Sequence, residues 1–337
     1  MSVSVKDVAL AASVSVGTVS NVLNRPEKVS PATVERVHTA IAELGFVRND
    51  AARQLRAGRS RSIGLVVLDV GNPFFAEIAR GAEERAAEEN MTVLLGNSDE
   101  RQDREHAYLD LFREQRVNGV LVSPTTEDLS SLERLRDGGV PVILVDRETS
   151  DEGFGSVAVD DIEGGFLAVG HLLEGGCRRV AFLAGPMGIR QVRDRLEGAR
   201  RAVAQHPDAV LEVIEVPALT VLHGREAGQI IAGRAPADRP DGVFAANDLL
   251  AVGALQAFAI MGDIAVPDDI ALIGYDDIDF ASATVVPLSS IRQPAHLIGY
   301  SAADLLLKDL AQPDGDHERA VRFQPELVVR ESTRRPR

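Results

Sequence analysis

The sequence of 337 residues predicts an N-terminal all-α helix-turn-helix domain, followed by an α/β domain of two doubly wound parallel-sheet subdomains. Three observations lead to this fold class. Apolar residues recur at helical spacing through the first 48 residues, buried-strand runs alternate with helical stretches from residue 62 onward, and charge divides between these regions. Residues 1–62 carry a net charge of +4, whereas the remainder carries −19. The total of −15 therefore contains a basic segment suited to a polyanionic partner.

The composition excludes several classes of protein. Hydrophobic residues make up 45% and charged residues 26%, a balance typical of globular chains. Cys177 is the single cysteine, so no intramolecular disulfide can form and a reducing compartment is expected. The sequence shows neither an apolar run of the roughly 18–20 residues that a membrane span needs nor a signal-peptide pattern. We therefore expect a cytoplasmic protein with no membrane partner.

Three amphipathic helices are predicted in the first domain. A capping box at Ser4 begins a helix over residues 5–12, and Ser15 is the predicted N-cap of a second helix. Ser30, with a proline after it, begins a third helix that Gly45 ends. Two short helices joined by a tight turn are typical of a helix-turn-helix unit, whose second helix enters the major groove. A three-helix bundle used for protein contacts is the alternative that this pattern leaves open.

Five stretches of this segment stand at fixed spacing: VKDVA from Val5, VSVGTVSNVLN from Val14, VSPAT from Val29, IAELGF from Ile41 and NDAARQL from Asn49. Together they resemble the signature of the LacI/GalR (lactose-repressor) family of bacterial transcription factors. A match this long at fixed spacing is highly specific. Ser13 departs from the glycine that the family often has in the turn between the first two helices.

The resemblance places Val16, Gly17 and Asn21 at base-reading positions of the second helix. Asn21 can bond an adenine edge and Val16 can pack on a thymine methyl, whereas Thr18 and Ser20 suit phosphates. The predicted DNA contacts of this helix are Ser15, Val16, Gly17, Thr18, Ser20, Asn21 and Asn24.

Residues 49–61 form a predicted hinge helix and linker. The helical stretch is barely two turns long, so it is marginal by itself in water. In the family this helix orders on operator DNA, and two copies meet in the minor groove, where a leucine wedges between base pairs. The resemblance gives Leu55 the wedge, Ala52 the close approach of the two copies and Arg53 a phosphate contact.

Parallel sheets are predicted beyond the linker, because strands alternate with helical stretches such as 74–90 and 102–116. The predicted strands are 63–68, 92–95, 119–122, 140–145, 180–183, 213–216, 242–245, 270–275 and 326–330. Two similar sets of strands indicate two subdomains. Their predicted bounds are 62–161 with about 293–319, and 162–292 with about 320–331, before a short tail at 332–337.

Polar and aromatic side chains follow the predicted strands, at the edge where parallel sheets bind ligands. They are Asn72, Phe74, Phe75, Asp146, Arg147, Arg193, Asn247 and Asp276, with Gln293 further along. Amide, carboxylate and guanidinium groups pair with sugar hydroxyls, and an aromatic ring packs on the C–H face of a sugar. Each residue alone fits a cap, a turn or a solvated charge, but together they predict a pocket.

The resemblance extends over this region, which is similar to the effector domain of the same family and to periplasmic sugar-binding proteins of the ribose type. The residues just named match the ribose-type pocket, so the resemblance implies a small-molecule effector, with ribose or another pentose as first choice. Another monosaccharide or a nucleoside is the alternative. Leu222 and His223 stand where the family usually has an aromatic residue, which leaves the ligand's identity open.

No catalytic, metal or cofactor site is predicted. The sequence has no phosphate-binding P-loop, and its seven histidines lack metal-ligand spacing. Adjacent carboxylates such as Asp160-Asp161 fit turns and helix caps. We therefore expect a protein that is not an enzyme.

The sequence as a whole predicts a sugar-responsive transcriptional repressor. It would act as a homodimer on near-palindromic double-stranded operator DNA, in the cytoplasm and at the nucleoid when bound. A transport-type sugar-binding protein and a sugar-modifying enzyme are the weaker alternatives.

Overall fold

The computed structural model describes residues 3–46, 60–149, 151, 153–261, 264–312, 315 and 318–334. The chain divides into two compact units, residues 1–60 and residues 61–337. The first is helical and the second is built from strands and helices, so the predicted fold class is confirmed.

The N-terminal unit contains the three predicted helices, α1 (Val5–Ala11), α2 (Val16–Asn24) and α3 (Pro31–Leu44). Ser30 occupies the N-cap position of α3, where its hydroxyl lies 2.9 Å from the Thr33 hydroxyl and accepts no bond from a backbone N–H, and the proline after it begins the first turn. The core of this unit consists of Val8, Ala9, Ala12, Val19, Val22, Val37, Ala40 and Phe46. All three helices contribute to it, so each buries the apolar stripe that its sequence predicts.

Local hydrogen bonds decide where these helices begin and end. The Ser4 hydroxyl accepts from the Asp7 amide N–H, and the Asp7 carboxylate accepts from the Ser4 amide at 2.8 Å, which completes the predicted capping box. The Ser15 hydroxyl accepts from the Thr18 amide at 3.0 Å. Gly45 ends α3 with φ of +61°, a left-handed conformation that glycine adopts without steric cost.

The turn between α1 and α2 places Ser13 at φ of +53°. This is the left-handed region, which a residue with a Cβ occupies at a cost of roughly 1–2 kcal/mol. Serine therefore fits the turn with some strain, and the glycine that is usual here in the resembling family would fit it without strain.

Two six-stranded sheets form the α/β unit. The strands of the first sheet are β1 (Ser62–Val67), β2 (Thr92–Asn97), β3 (Val120–Val122), β4 (Val142–Val145), β5 (Gly155–Val159) and β11 (Ala320–Phe323). Those of the second are β6 (Arg179–Ala184), β7 (Val210–Glu215), β8 (Gly242–Ala245), β9 (Ala271–Asp276), β10 (Ser289–Arg292) and β12 (Glu326–Val328). We call the two layered halves the first lobe and the second lobe.

The two lobes share one topology. The first sheet has the order β11-β5-β4-β3-β1-β2 and the second the order β12-β10-β9-β8-β6-β7. All neighbours run parallel except β10 and β12, which run antiparallel. In the first sheet β1 lies between β2 and β3, and in the second β6 lies between β7 and β8. The strand order therefore reverses at β1 and at β6, and parallel sheets bind ligands at such a switch point.

The chain crosses between the lobes three times, after β5, after β10 and after β11. The prediction that residues 320–331 all belong to the second subdomain is wrong for β11, because Val321 pairs with Val157 of β5 in the first sheet. Sequence periodicity did not predict β5, β10 or β11. In β10 the buried residues include Ser289 and Ser290, whose hydroxyls bond to Arg330 and Asp248, so burial there does not require an apolar pattern.

Nine helices of the α/β unit cover the sheets. They are α4 (Pro73–Glu88), α5 (Gln102–Glu114), α6 (Ser130–Asp137), α7 (Asp161–Glu174), α8 (Arg190–Ala204), α9 (Val221–Ala232), α10 (Asp248–Met261), α11 (Asp279–Ala283) and α12 (Ala295–Ala311), all within the described ranges. Helices α4 and α12 pack against each other so closely that a Cβ on Gly299 would lie 1.9 Å from the Ile78 carbonyl. None of the helices in these ranges combines the length and the apolar character needed to cross a lipid bilayer.

Candidate functional site

The outward face of α2 carries the residues predicted to read DNA bases. Val19 and Val22 are buried in the helical core, whereas Val16, Gly17 and Asn21 are exposed. Val16 leaves 46% of its surface exposed, which is unusual for a valine. The helix therefore exposes the apolar side chain of Val16, the amide side chain of Asn21 and, at Gly17, backbone that no side chain covers.

The other predicted DNA contacts of α2 are oriented by bonds within the helix. The hydroxyls of Ser15 and Thr18 lie 2.9 Å apart at its start. The Asn24 side-chain amide donates to the Ser20 carbonyl at 2.7 Å at its end. These local bonds limit the rotamers of short polar side chains before any partner binds.

The basic charge of the N-terminal region lies beyond these helices. Residues 3–46 hold four Lys/Arg and four Asp/Glu, whereas residues 47–62 hold five and one. The predicted hinge residues Ala52, Arg53 and Leu55 fall in that basic stretch and lie outside the described residues. Their roles remain predictions from the resemblance.

A cavity of about 420 Å³, its mouth included, lies between the two lobes at the carboxyl ends of the strands. Six of the predicted pocket residues line it: Asn72, Phe74, Phe75, Asp146, Asn247 and Asp276. The remaining lining residues are Leu68, Asp69, Glu100, Ile189, Gln191, Val192, Arg195 and Leu219. Both lobes therefore contribute side chains to one site.

Asn72 and Asp276 join the lobes across this cavity. Asn72 Nδ2 donates to Asp276 Oδ2 at 3.0 Å, while Asn72 Oδ1 caps α4 by accepting from the Phe74 amide. Gln293 Nε2 donates to Asp276 Oδ1 at 2.8 Å, so Gln293 reaches the site through Asp276 and does not line it. Burial raises the pKa of Asp276 to about 6, although Arg195 and the two amides favour its ionised form.

Aromatic and amide groups form the opposite walls. The rings of Phe74 and Phe75 pack edge to face with centroids 5.0 Å apart. Asn247 accepts from the Leu250 amide at 2.9 Å and donates to the Leu219 carbonyl at 3.1 Å. Asn72 and Asn247 are therefore helix caps as well as cavity residues, and the caps hold their side chains at the cavity wall.

Arg195 is the cation of the cavity. Its side chain is buried, Nε donates to Asp161 at 2.8 Å, and a terminal nitrogen donates to the Ala246 carbonyl at 2.6 Å. The guanidinium lies 3.7 Å from the centre of the Tyr275 ring. Burial opposes its charge, but Asp161 and the other acidic groups around it outweigh burial and raise the pKa of Arg195.

Arg147 and Arg193 were both predicted to line the pocket, and the structure places both outside it. Each guanidinium bonds to Glu127 on the loop after β3, Arg147 at 2.8 Å and Arg193 by a shorter contact. Arg193 also donates to the Met187 carbonyl at 2.6 Å. In this arrangement Glu127 binds both arginines, and neither of them lines the cavity.

Gln191 and Asp146 form a second bridge between the lobes. Gln191 Nε2 donates to the Asp146 backbone carbonyl and, at 3.0 Å, to Asp146 Oδ2. Asp146 Oδ1 and Gln191 Oε1 are buried with no hydrogen-bond partner in the protein. Burial, reinforced by the negative charge of Asp161, raises the pKa of Asp146.

Glu100 closes the remaining side of the cavity. It follows β2 in the first lobe, and its Oε1 accepts from the Leu219 amide of the second lobe at 3.3 Å. Its Oε2 is buried without a protein partner. Burial raises the pKa of Glu100 to about 7, and nearby Asp69 and Asp99 act in the same direction.

Sequence reasoning missed Arg195, Gln191 and Glu100. The helical phase of α8 contained the signal for Arg195, because it shares a face with Val192 and Leu196. Glu100 has no local signal, since only the packing of two lobes brings it to the cavity.

Leu222 and His223, at the position left open by the sequence, do not line the cavity. Leu222 is 68% exposed, and the His223 ring bonds the Thr220 hydroxyl at 2.9 Å. The nearby lining residue is Leu219. Within the described ranges no three His, Cys, Asp or Glu side chains form a group that would hold a metal ion.

Two family models match the chain. The model of bacterial regulatory proteins of the lacI family matches residues 4–49, and the model of the periplasmic binding protein-like domain matches residues 169–333. The first covers α1, α2 and α3, and the second covers most of the second lobe.

Relatives match over nearly the whole chain. Ribose operon repressors from Bacillus subtilis and Halalkalibacterium halodurans are 36% and 34% identical over 331 residues, which cover 98% of this chain and 98% and 97% of theirs. An HTH-type transcriptional repressor PurR from Photobacterium profundum is 33% identical over 334 residues, 98% of each chain.

Solved structures of lacI-family regulators also superpose on most of the chain. The lac repressor dimer bound to operator and the anti-inducer ONPF superposes with a TM-score of 0.82 at 28% identity, over 99% of both chains. A LacI family transcriptional regulator from Enterococcus faecium with bound ribose superposes with a TM-score of 0.71 at 29% identity, over 80% of this chain and 98% of that one. The chain therefore belongs to the LacI family of bacterial regulatory proteins, as a DNA-binding transcriptional regulator with a small-molecule-binding α/β unit.

Proposed function

We propose that this chain is a transcriptional repressor whose binding to operator DNA is controlled by ribose or another pentose. The observation that carries the proposal is the cavity, where amide, carboxylate and guanidinium groups of both lobes stand beside two phenylalanine rings. Such walls pair with several hydroxyls and pack on a C–H face. The ribose operon repressors and the ribose-bound structure among its relatives support the choice of sugar.

The enclosed part of the cavity is small in this structure. The volume of about 420 Å³ includes open solvent at the mouth, whereas the space that water-sized molecules can occupy inside is about 30 Å³. Ligand pockets usually enclose about 300–1,000 Å³, so the two lobes would have to move apart to admit a monosaccharide, and a longer saccharide would need a still wider opening.

Residue roles follow from the contacts. Asp146, Asn247 and Asp276 would bond the hydroxyls, and Phe74 and Phe75 would pack on the sugar ring. Arg195 would contribute from the back wall, and Gln293 would act by holding Asp276 in place. Arg147 and Arg193 would join the site only by leaving Glu127.

The exposed face of α2 would read the operator. Val16 and Asn21 would contact base edges, and Gly17 would let the backbone approach them. Two such helices in a homodimer would occupy successive major grooves of a near-palindromic site. The operator-bound lac repressor dimer among its structural relatives supports this assembly. Ala52, Arg53 and Leu55 would act in the minor groove, as the resemblance implies.

Ligand binding would control DNA binding by changing how the two lobes close. The lobes are joined by three crossings and by side-chain bridges such as Asn72 to Asp276, so a ligand between them would bias their arrangement. A coupling of about 1–3 kcal/mol would change operator affinity roughly 5–150-fold. A coupling of this size would be enough to order or unfold the predicted hinge helix, because a helix of two turns is only marginally stable in water.

A purine or nucleoside is the second candidate. The phenylalanine pair would pack on a flat base as well as on a sugar ring, and the PurR relatives support this class. The two candidates need different numbers of hydrogen-bond acceptors in the cavity, because a purine base has fewer donors than a pentose has hydroxyls.

Operator selection followed by titration tests the proposal. The purified chain is used to enrich duplexes from a randomised pool, and affinity for the selected duplex is measured by fluorescence anisotropy with and without ribose, adenosine and hypoxanthine. We expect a near-palindromic site whose affinity changes at least about 5-fold with ribose. Failure to enrich a palindrome, or an affinity that none of the three compounds changes, would contradict the proposal.

A further inference from the structure

We propose that the Glu127 carboxylate is a latch that holds the two lobes together before a ligand binds, and that an effector has to displace it to enter the cavity. The inference rests on the proposed function and deepens it, because it names a contact that adds to the cost of opening the cavity. The space that water-sized molecules can occupy inside is about 30 Å³, so the lobes have to part before a monosaccharide enters.

Three arginines surround the Glu127 carboxylate. Arg147 Nη2 lies 2.8 Å from its Oε2, Arg193 Nη2 contacts its Oε1 more closely, and Arg190 Nη1 lies 3.7 Å from its Oε2. Glu127 and Arg147 follow strands of the first sheet, whereas Arg190 and Arg193 are on α8 of the second lobe. The carboxylate therefore joins cations of both lobes.

The loop that carries Glu127 is fixed to the first lobe on both sides of this contact. The Thr125 amide donates to the buried carboxylate of Glu105, on α5, at 2.7 Å. Arg147, at the end of β4, donates to the Thr126 carbonyl at 2.5 Å. Because these bonds lie within the first lobe, Glu127 cannot follow α8 when the lobes separate.

The Arg193 side chain is fixed to the second lobe in the same way. It donates to the Met187 carbonyl at 2.6 Å and to the Gly188 carbonyl at 3.2 Å, both in the segment between β6 and α8. Most ion pairs at a surface contribute little, because two long side chains lose conformational freedom when they meet. Here both partners are already held by other bonds, so less freedom is lost when they pair, and the pair must break when the lobes open.

The charge of Arg147 depends on this carboxylate. Burial lowers the pKa of Arg147, and Arg190 and Arg193 act in the same direction, whereas Glu127 raises it. Arg147 Nε is buried and has no hydrogen-bond partner among the described residues. The three arginines therefore need an acceptor between them, and a ligand group that supplies one competes with Glu127 for the same donors.

Displacement of Glu127 adds to the cost of ligand binding. When only open molecules accept a ligand, the apparent dissociation constant is the intrinsic one divided by the open fraction. Glu127→Gln removes the negative charge and keeps a similar shape, so the open fraction should rise and the ligand should bind more tightly. Loss of a residue that binds the ligand would weaken binding instead, so the direction of the change identifies a latch.

Hydrogen exchange of the full chain, followed by NMR without any ligand, tests the latch directly. The Leu219 amide donates to Glu100 of the other lobe at 3.3 Å, so its exchange reports on the separation of the lobes. The Val216 amide donates to the Ala184 carbonyl at 2.9 Å within the second lobe and serves as the reference. We expect Glu127→Gln to speed exchange at Leu219 by about 5-fold and to leave Val216 unchanged. An unchanged rate at Leu219 would overturn the inference.

Glu133→Gln is the matched control, because Glu133 is an exposed acid of α6 and its loss changes the net charge equally. Salt gives a second test that needs no folded variant. Raising NaCl from about 0.05 M to about 1 M screens a half-exposed ion pair, so exchange at Leu219 relative to Val216 should speed up in the parent chain and in Glu133→Gln. It should change little in Glu127→Gln. Faster exchange in Glu133→Gln than in the parent at low salt, or no effect of salt on the parent, would overturn the inference.

Titration calorimetry with ribose and hypoxanthine separates this inference from the proposed function. We expect the compound that binds the parent chain to bind Glu127→Gln about 5-fold more tightly and Glu133→Gln with unchanged affinity. Equal or weaker binding to Glu127→Gln would overturn the inference and leave the proposed effector in place. If neither compound binds any of the three chains, the proposed effector is wrong, and the exchange rate at Leu219 by itself decides whether Glu127 is a latch.

Discussion

The outward face of α2 and the cavity between the lobes are built from opposite kinds of side chain. The helix exposes small uncharged groups, Val16, Gly17 and Asn21, whose neighbours are fixed by bonds within one turn. The cavity buries carboxylates and a guanidinium, such as Asp146 and Arg195, that come from distant parts of the chain. The first surface adds little to the stability of its unit, whereas the second is held together by paired charges.

The largest expected effect is on the buried pair in the cavity. Arg195→Met would leave Asp161 buried without its cation, so we expect the free energy of unfolding to fall by about 3–5 kcal/mol. Arg193→Met, two residues away, removes a half-exposed pair with Glu127 and a bond to the Met187 carbonyl, and should cost about 1 kcal/mol. Urea unfolding measures both, and equal losses would contradict the assignment of Arg195 as the buried cation.

The features that the sequence predicts correctly depend on near neighbours or on the ends of strands. The caps at Ser4 and Ser15 were predictable because their partners lie within four residues. Asn72, Asp146 and Asp276 were predictable from strand ends, because parallel strands end at one edge of a sheet.

The burial of Arg195, the pairing of β11 and the position of Glu100 depend on the three-dimensional fold, which the spacing of residues along the sequence does not encode. Arg193 and Arg195 lie two positions apart on α8, and only the phase of that helix decides which one is buried. β11 joins the first sheet by pairing with β5 more than 150 residues earlier, and Glu100 meets Leu219 only after both lobes have folded. These are tertiary contacts, so the local periodicity of the sequence does not predict them.

The next effect separates the two surfaces functionally. Asn21→Ala should weaken operator binding by about 1–3 kcal/mol and leave the calorimetric affinity for the effector unchanged, because it removes a contact to one base. Asp276→Asn should weaken effector binding at least about 10-fold and change operator affinity without effector much less, since it changes a cavity acceptor that also bonds Asn72 and Gln293. A variant that lost both activities to the same extent would break the comparison.

A smaller effect concerns the pH dependence of the cavity. The titratable groups around Glu100 are Asp69, Asp99, Asp146, Asp276 and Arg195. Burial raises the pKa of Glu100 from 4.5 to about 7, so the folded form holds its proton more tightly than the unfolded form. This stabilisation is complete below pH 4.5 and is lost as pH rises from there through 7. Glu100→Gln should therefore match the parent chain near pH 4 and exceed its melting temperature by about 2–4 °C at pH 8.

Glu83→Gln provides the control for this experiment, because Glu83 is an exposed residue of α4 far from the cavity lining. Thermal unfolding of the three chains across this pH range measures the difference. If the gap between Glu100→Gln and the parent did not widen with pH, Glu100 would not be the buried acid described here.

The smallest expected effect lies in the turn before α2. Ser13→Gly should relieve the left-handed strain at φ of +53° and raise the stability of the N-terminal unit by up to about 1 kcal/mol. Ser30→Gly serves as the comparison and should change little, because the Ser30 hydroxyl bonds only the exposed Thr33 hydroxyl and accepts no backbone N–H of α3. Hydrogen exchange of amides in α1 and α2 reports on this unit alone, and no added protection in Ser13→Gly would contradict the strain.

The central claim is that a ligand in the cavity controls the DNA-reading surface, and thermodynamic linkage tests it most directly. Effector affinity is measured by calorimetry with and without saturating operator, and operator affinity is measured with and without saturating effector. The account predicts that both affinities change by the same factor, between about 5 and 150. An effector affinity that is identical in the presence and absence of operator would contradict it.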